Sequence, residues 1–230
     1  MNIIEADKIK KTYESNGLSV TALGGVDVAV KKGEFTALAG PSGSGKTTLL
    51  NIIGGLDAPT SGSIKVDNVD LAPLKAKALA EIRLTKIGFV FQAYNLIPVL
   101  TAIENVEYVL LLQGVGKKER RDRSVNVLEQ VGLSDQVNRR PHELSGGQQQ
   151  RVAVARAIVS EPAIVLADEP TANLDQKTGA KLCDMMRDLN EQKHITFLFS
   201  THDSMVMERA RRLIHLIDGK VVKEESKGKK

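Results

Sequence analysis

The chain has 230 residues, 42% of them hydrophobic and 26% charged, with a formal net charge of +4. This balance predicts a globular core and, because no apolar run approaches the ~20 residues of a membrane-spanning helix, excludes a span within the sequence. Aromatic residues make up 3% and tryptophan is absent, so base-stacking surfaces for nucleic acid are not expected. A single cysteine, Cys183, excludes an internal disulfide and fits a reducing compartment. The N-terminus lacks a signal-peptide pattern, so we expect a cytoplasmic protein.

The first 70 residues combine strand patterns with one glycine-rich loop. Apolar residues alternate with others over Val26–Val30, as in a half-buried strand, and Phe35–Leu38 forms a second short apolar run. A helix is expected from Thr47 to Ile53, then a turn at Pro59–Gly62 and a strand at Ile64–Val66. These elements predict a β-rich lobe around one strand–loop–helix unit.

The rest of the chain is helical first and then mixed. Residues 101–160 are mainly helical, with an apolar face that includes Val125, Leu128, Val131 and Leu133 and a later helix over Gln148–Val159. Strands are expected at Ile164–Ala167 and Ile195–Phe199. Between them lies a helix whose core face repeats at three- and four-residue intervals, through Leu182, Met185, Met186 and Leu189. The sequence thus predicts a single α/β domain over residues 1–230, with an α/β core and β lobe at about 1–95 and 160–230 and a helical lobe at 96–159.

Gly40-Pro-Ser-Gly-Ser-Gly-Lys-Thr47 matches the phosphate-loop pattern G-x-x-x-x-G-K-[ST], between a predicted strand and a predicted helix. Glycines let successive N–H groups point at an anion, and the helix N-terminus adds partial positive charge. Lys46 is expected to reach the β- and γ-phosphates, and the Thr47 hydroxyl to ligate Mg²⁺. The loop therefore predicts a nucleotide site.

Two acids follow the apolar run Ile164–Ala167, where a phosphate-loop protein requires a carboxylate. Asp168 is expected to hold the Mg²⁺ shell, and Glu169 to orient or deprotonate the attacking water. The Asn-Lys-x-Asp pattern that reads guanine is missing, since Asn173-Leu-Asp175 lacks both its lysine and its spacing. The sequence therefore predicts hydrolysis of ATP rather than GTP.

A second anion-binding helix start is expected at Leu144-Ser-Gly-Gly-Gln-Gln-Gln-Arg151. Ser145 is a good N-cap, and Gly146 and Gly147 permit close approach of the backbone to a ligand. This segment resembles the signature Leu-Ser-Gly-Gly-Gln of the ATP-binding-cassette (ABC) ATPases. The resemblance implies a P-loop NTPase (RecA-like) core with an antiparallel β lobe and a helical lobe that carries the signature.

The resemblance extends over nearly the whole chain and assigns further roles. It implies that Tyr13 stacks on adenine, that Gln92 senses Mg²⁺ and water, that Asp175 lies in the D-loop and that His202 contacts the γ-phosphate. The residues expected to act in catalysis are Lys46, Gln92, Glu169 and His202. Those expected to hold Mg²⁺ are Thr47, Gln92 and Asp168. Those expected to contact ATP are Tyr13, Gly40, Pro41, Ser42, Gly43, Ser44, Gly45, Lys46, Thr47, Thr48, Ser145, Gly146, Gly147, Gln148, Asp168 and Asp175.

The resemblance also implies a mechanism and partners. Two cassettes would meet head to tail around ATP, each ATP lying between the phosphate loop of one and the signature of the other, so we expect a monomer without nucleotide and a homodimer with Mg-ATP. A transmembrane permease would dock near Gln92–Leu100 and place the protein at the inner face of the membrane. The apolar side chains there could form its landing surface or equally fill the core of the helical lobe: Phe91, Tyr94, Leu96, Ile97 and Val99.

Several stretches look like the lipoprotein-releasing and macrolide-export branch of the family, including Gly54–Gly62, Phe91–Pro98, Leu100–Val106 and Leu166–Thr171. The branch implies export or extraction of a lipoprotein, peptide or hydrophobic compound. Ala172 departs from the glycine that the branch usually carries there. Alternatives are a soluble ABC ATPase acting on nucleic acid or ribosomes, a non-enzymatic regulatory subunit, and a cell-division type ATPase that transports nothing. The length leaves no room for long insertions or a second cassette, and the phosphate loop and Glu169 are intact.

Overall fold

The structure is a computed structural model that describes residues 1–15 and 17–227. Its strands are β1 (Asn2–Ser15), β2 (Leu18–Lys31), β3 (Phe35–Ala39), β4 (Ser61–Val66), β5 (Val69–Asp70), β6 (Ile87–Val90), β7 (Ile164–Ala167), β8 (Phe197–Thr201), β9 (Arg212–Ile217) and β10 (Lys220–Ser226). Its α-helices are α1 (Lys46–Ile53), α2 (Ala76–Lys86), α3 (Ala102–Leu112), α4 (Lys117–Gln130), α5 (Gly146–Ile158), α6 (Gln176–Lys193) and α7 (Ser204–Arg209). Short 3₁₀ turns lie at Ser134–Gln136 and Pro141–Glu143.

The central sheet has the strand order β10-β9-β3-β8-β7-β6. Strands β9, β3, β8, β7 and β6 run parallel, and β10 is antiparallel at one edge. Every residue of β3, β7 and β8 is buried, as expected for parallel strands covered on both faces. Along β7, Val165 and Ala167 face one apolar cluster whereas Ile164 and Leu166 face the other. The sheet therefore separates two cores, which confirms the predicted α/β class.

A second, antiparallel sheet has the order β2-β1-β4-β5. The predicted alternation over Val26–Val30 is confirmed, because its three valines are buried and the residues between them are exposed. The predicted turn at Pro59–Gly62 is wrong in its second half, since β4 begins at Ser61. Gly62 has a φ of 97°, and a side chain there would lie within 2.6 Å of the carbonyl oxygens of Asp7 and Lys8. This glycine therefore serves close packing against an irregularity in β1 rather than a turn.

Three helices, α3, α4 and α5, account for most of residues 101–160, as the sequence predicted. Leu128, Val131 and Leu133 are buried in the core cluster that these helices share with the sheet. The prediction for Val125 is wrong, because this side chain is 41% exposed. Ser124 and Leu128, four residues apart, define the inner face of α4, and Val125 is turned about 100° away from Ser124.

The last third alternates helix and strand. The apolar face of α6 is confirmed, with Leu182, Met186 and Leu189 buried. The last predicted strand begins two residues late, at Phe197, because the residues before it are tied to side-chain partners: Ile195 O accepts from Asn190 Nδ2 at 2.7 Å, and Thr196 Oγ1 accepts from Gly33 N at 2.9 Å. Within residues 1–15 and 17–227, no helix is long and apolar enough to cross a membrane.

Candidate nucleotide site

The loop of the predicted nucleotide site joins β3 to α1 at the carboxyl edge of the parallel sheet. Gly43 and Gly45 have φ values of 79° and 100°, a backbone region that disfavours other residues. A side chain at Gly45 would lie 2.6 Å from Ala22 O, and one at Gly40 only 2.1 Å from Leu216 O. Gly40 is therefore required by packing, Gly43 by its backbone conformation and Gly45 by both, and together they form a concave backbone cradle in front of α1.

Lys46, the first residue of α1, holds its ammonium group inside this cradle. Nζ donates to Gly40 O at 2.8 Å and to Pro41 O at 2.9 Å, and it lies 3.9 Å from Glu169 Oε1. The side chain is only 5% exposed. A positive charge is thus fixed where an entering phosphate would meet the loop N–H groups and the N-terminus of α1.

Asp168 follows β7 and accepts two hydroxyl hydrogen bonds on a single oxygen. Thr47 Oγ1 donates to Asp168 Oδ1 at 3.1 Å, and Ser200 Oγ donates to the same atom at 2.6 Å. A carboxylate and a threonine hydroxyl at the mouth of a phosphate cradle match the hard oxygen ligands of Mg²⁺, which uses few carboxylates and takes its remaining ligands from phosphates and water. These residues therefore fit the predicted metal.

Glu169 lies between two positively charged or chargeable groups. Its Oε1 is 3.1 Å from His202 Nδ1 and 3.9 Å from Lys46 Nζ. Its backbone is left-handed, with a φ of 43°, and its N–H donates to Ser200 Oγ at 2.9 Å. Such strained backbone persists only where neighbours enforce it and is concentrated at functional sites. The carboxylate is partly exposed, so it can reach a water molecule in the cleft.

Gln92 and Asp175 were also predicted to belong to the site. Gln92 follows β6 at the same sheet edge, its side chain is exposed, and its carbonyl accepts from Asn173 Nδ2 at 2.9 Å. Asp175 caps α6, where Oδ1 accepts from Thr178 N at 3.0 Å. Hydrogen bonds from the side chain and then the backbone N–H of Thr178 lower the pKa of the Asp175 carboxyl. Within the described residues, no hydrogen bond joins either side chain to Asp168 or Glu169, so neither is bonded to the two acids.

Tyr13 lies near the end of β1, and its ring is 42% exposed. The hydroxyl donates to Asp57 Oδ2 at 2.8 Å. Desolvation and the Asp57 carboxylate raise the Tyr13 pKa, whereas a hydrogen bond with Thr48, the third residue of α1, opposes them. The aromatic ring is thus beside the start of α1, where the base of a nucleotide held by the loop could reach it.

The signature segment begins α5 with a reciprocal cap. Ser145 Oγ accepts from Gln148 N at 3.3 Å, and Gln148 Oε1 accepts from Ser145 N at 2.9 Å. A side chain at Gly146 would lie 2.8 Å from the Tyr94 hydroxyl, and one at Gly147 would lie 2.5 Å from Thr178 Cγ2. The glycines therefore let the chain pack on itself, a reason beyond the ligand approach that the sequence suggested.

Sequence reasoning missed three groups that shape the site: the Ser200 hydroxyl, the Asn173 amide and the Asp57 carboxylate. Ser200 contacts both acids and could have been found as a hydroxyl inside an otherwise apolar strand beside β7. Asn173 and Asp57 lie in irregular segments, where no periodicity indicates their partners.

Across the described residues, no hydrogen bond or ion pair connects the signature Ser145–Gln148 to the loop Gly40–Thr47.

Comparison with known proteins decides the family. The family model described as "ABC transporter" matches residues 23–172. The chain belongs to the ABC transporter family. This membership confirms the predicted ATPase class and, with the fold, the resemblance drawn from the signature.

Relatives of the cassette include proteins named for lipoprotein release and for macrolide export. It is 44% identical to the lipoprotein-releasing system ATP-binding protein LolD of Legionella pneumophila, over 97% of this chain and 98% of the relative. It is also 44% identical to the macrolide export ATP-binding/permease protein MacB of Syntrophobacter fumaroxidans, over 98% of this chain but 32% of that longer protein. A solved structure of the ATP-binding cassette MJ0796, described as a dimeric post-hydrolysis state bound to ADP and Pi, has a TM-score of 0.89 and 45% identity, over 97% of this chain and 98% of that one. The source of MJ0796 is Methanocaldococcus jannaschii.

Proposed function

We propose that the cassette hydrolyses ATP at this site to power export or extraction of a lipoprotein, peptide or hydrophobic compound through a separate permease at the inner face of the membrane. The observation that carries the catalytic part is one cluster: Lys46, Thr47, Asp168, Glu169 and His202 are joined by contacts of 3.9 Å or less at a single sheet edge. The names of relatives at 44% identity support the export branch.

Each member of the cluster has a distinct role in the proposed reaction. The loop amides and Lys46 bind and orient the phosphates, and Tyr13 stacks on adenine. Thr47 and Asp168 would hold Mg²⁺, with Gln92 proposed as a further ligand, and the ion would neutralise phosphate charge. Glu169 orients a water and accepts its proton as the water oxygen bonds to the γ-phosphorus and the bond to the β-bridging oxygen breaks. His202 holds the γ-phosphate and, through its Glu169 contact, the base.

We propose that the working unit is a head-to-tail homodimer. The solved MJ0796 structures are described as dimeric, and one of them as bound to ADP and Pi. In the cassette, the capped α5 start at Ser145–Gln148 is a second anion-binding element without a bond to the chain's own phosphate loop. A second copy would therefore supply the signature, and its Asp175 segment, to each site.

The permease is proposed to dock beside Gln92–Leu100, where the helical lobe proposed for residues 96–159 begins. The apolar residues in and next to this segment differ in their burial. Leu96 packs into the core, and Phe91 stacks on Phe89 with ring centroids 5.6 Å apart. Val99, by contrast, is 71% exposed, and α3 adds further exposed apolar side chains, namely Tyr108, Leu111 and Leu112. This surface supports the landing site better than Leu96 and Phe91 do.

The variant Glu169→Gln tests the catalytic assignment. It keeps the shape and removes the base, so ATP hydrolysis should fall by about 10²-fold or more while ATP binding persists and ATP-bound dimers accumulate. Turnover is measured as phosphate release and the dimer by size exclusion with ATP. Glu161→Gln is the matched control, because Glu161 is also left-handed (φ 53°) but follows α5, away from the cluster. Wild-type turnover by Glu169→Gln would refute the role of Glu169.

A further inference from the structure

Lys11 and Asp57 hold the ring of Tyr13 in place. Lys11 and Tyr13 are two positions apart on β1, and both side chains reach Asp57 although the pairing of β1 with β2 is irregular between Lys11 and Thr12. Tyr13 Oη donates to Asp57 Oδ2 at 2.8 Å, and Lys11 Nζ donates to Asp57 Oδ1 at 2.6 Å. The Asp57 carboxylate therefore accepts a hydrogen bond from each side chain, with a different oxygen for each.

Lys11 also covers one face of the aromatic ring. Its Nζ lies 4.8 Å from the ring centroid of Tyr13, a cation–π distance. Tyr13 as a whole nevertheless remains 42% exposed, so the residue is open to a ligand. The hydroxyl bond fixes the tip of the phenol and the ammonium fixes the tilt of its plane, and together they restrict both side-chain torsions of Tyr13.

The backbone around Lys11 and Asp57 is itself held in place by hydrogen bonds. Ala58 N donates to Asp57 Oδ1 at 2.8 Å, and Lys11 Nζ donates to Ala58 O at 2.8 Å. Thr60 N bonds to Lys10 O at 2.8 Å, and Thr12 N bonds to Thr60 Oγ1 at 3.0 Å. The segment 57–60, which follows α1, is thus tied along β1. Hydrogen bonds from Lys11 and Tyr13 lower the pKa of the Asp57 carboxyl against the opposing effect of desolvation, so it stays ionised at neutral pH.

We propose that Lys11 and Asp57 are positioning residues for the nucleotide base: they hold the Tyr13 ring with one face covered by a cation and leave the other for adenine. An unrestrained tyrosine at a strand end would lose side-chain entropy on binding the base, and the prior restraint removes that cost. The ammonium also draws electron density from the ring, which makes its free face a better partner for the electron-rich purine. The inference rests on the proposed function, because Tyr13 must be the adenine-stacking residue.

The test compares a ligand that carries the base with one that does not. Mg-ADP and Mg-pyrophosphate are titrated calorimetrically into the full chain and into Asp57→Asn, Lys11→Met and Tyr13→Ala. Asp57→Asn and Lys11→Met should weaken ADP binding about three- to tenfold and leave pyrophosphate binding unchanged. Tyr13→Ala should weaken ADP binding about tenfold or more. A general loss of structure would instead weaken both ligands together.

Asp67→Asn is the matched control, since Asp67 forms a Lys–Asp pair of similar length, 2.7 Å to Lys86 Nζ, elsewhere in the cassette. It should bind both ligands as the wild type does. If Tyr13→Ala weakens ADP binding but Asp57→Asn and Lys11→Met do not, the positioning role is wrong and the role of Tyr13 stands. If Tyr13→Ala leaves ADP binding unchanged, both the stacking role of Tyr13 and the positioning role of Lys11 and Asp57 are wrong. An equal loss of ADP and pyrophosphate affinity in the Lys11 and Asp57 variants also overturns the inference.

Discussion

Ser200 shows how one buried hydroxyl can organise two acids. Its Oγ donates to Asp168 Oδ1 and accepts from the N–H of Glu169, at 2.6 and 2.9 Å. A serine hydroxyl has one proton and two lone pairs, so it can serve both groups at once. The left-handed backbone at Glu169 turns its N–H toward β8, and Ser200 is the partner that satisfies this N–H. The position of the proposed base thus depends on a residue that takes no direct part in the reaction.

We expect Ser200→Ala to lower both stability and turnover. The substitution leaves the Glu169 N–H without its acceptor and removes one donor from Asp168, which should cost about 1–3 kcal/mol of unfolding free energy. Turnover should fall as the Glu169 carboxylate loses its fixed position. Denaturant unfolding and phosphate release measure the two effects.

Ser124→Ala is the control for this experiment. Ser124 is as fully buried as Ser200, but its hydroxyl has no hydrogen-bond partner among residues 1–15 and 17–227. Removal of an unpartnered buried hydroxyl should leave stability unchanged or slightly increased. An equal loss of stability in the two variants would show that the Ser200 hydrogen bonds contribute nothing specific.

At the level of elements, α5 connects the signature to the segment that follows β6. Gln150 Nε2 donates to Pro170 O at 2.7 Å and to Phe91 O at 3.4 Å. Arg156 Nη2 donates to Tyr94 O at 2.9 Å, and Nη1 to Asn95 O. Tyr94 and Asn95 are both left-handed, with φ values of 59° and 49°, so Arg156 secures a strained turn. A displacement of the 91–97 segment would therefore be transmitted through these hydrogen bonds to α5, the helix that begins with the signature.

The variant Arg156→Ala should loosen this turn. Loss of two charged hydrogen bonds to backbone carbonyls should cost about 2 kcal/mol or more. Amide hydrogen exchange across residues 93–97 should accelerate, and ATP turnover should fall, since Gln92 precedes the freed turn. Arg151→Ala is the matched control on the same helix, because Arg151 Nη1 donates to Val131 O at 3.0 Å instead. If both variants accelerate exchange at 93–97 equally, Arg156 has no special hold on the turn.

Elements whose pattern is local could be predicted from the sequence, and those set by tertiary contacts could not. The loop Gly40–Thr47 and the strand Ile164–Ala167 follow from glycine spacing and a buried apolar run, and both are where they were expected. Val125 was misplaced because helix α4 has few buried positions to define its inner face. The start of β8 was misplaced because Asn190, on a preceding helix, determines where the strand begins.

The same distinction between local patterns and tertiary contacts applies to the residues of the site. Lys46, Thr47, Asp168 and Glu169 could be found because the sequence carries them in fixed patterns after strands. The Lys11–Asp57 pair joins residues 46 positions apart, and no periodicity predicts that they meet. The proximity of His202 to Glu169 required the order of β7 and β8 in the sheet, which the motif alone does not give.

For the whole molecule, the lack of a hydrogen bond or ion pair between the two proposed anion-binding segments, within the described residues, favours our proposal that two chains share each site. In a head-to-tail dimer, each site takes Lys46 and Glu169 from one copy and Ser145–Gln148 from the other. A chain with a damaged loop still carries an intact signature, and a chain with a damaged signature still carries an intact loop. Mixing two such chains therefore creates one complete site in every mixed dimer.

We expect Lys46→Ala and Ser145→Arg each to be inactive alone and active when mixed. Equal mixing should restore up to about a quarter of wild-type turnover, because about half of the dimers are mixed and each has one complete site of two. Lys46→Ala mixed with Glu169→Gln is the control, since both defects affect the same half of the site and no complete site forms. Turnover is measured against the mixing ratio. Full activity of Ser145→Arg alone, or no recovery on mixing, would contradict the shared site, because a site built within one chain neither needs a second signature nor gains from one.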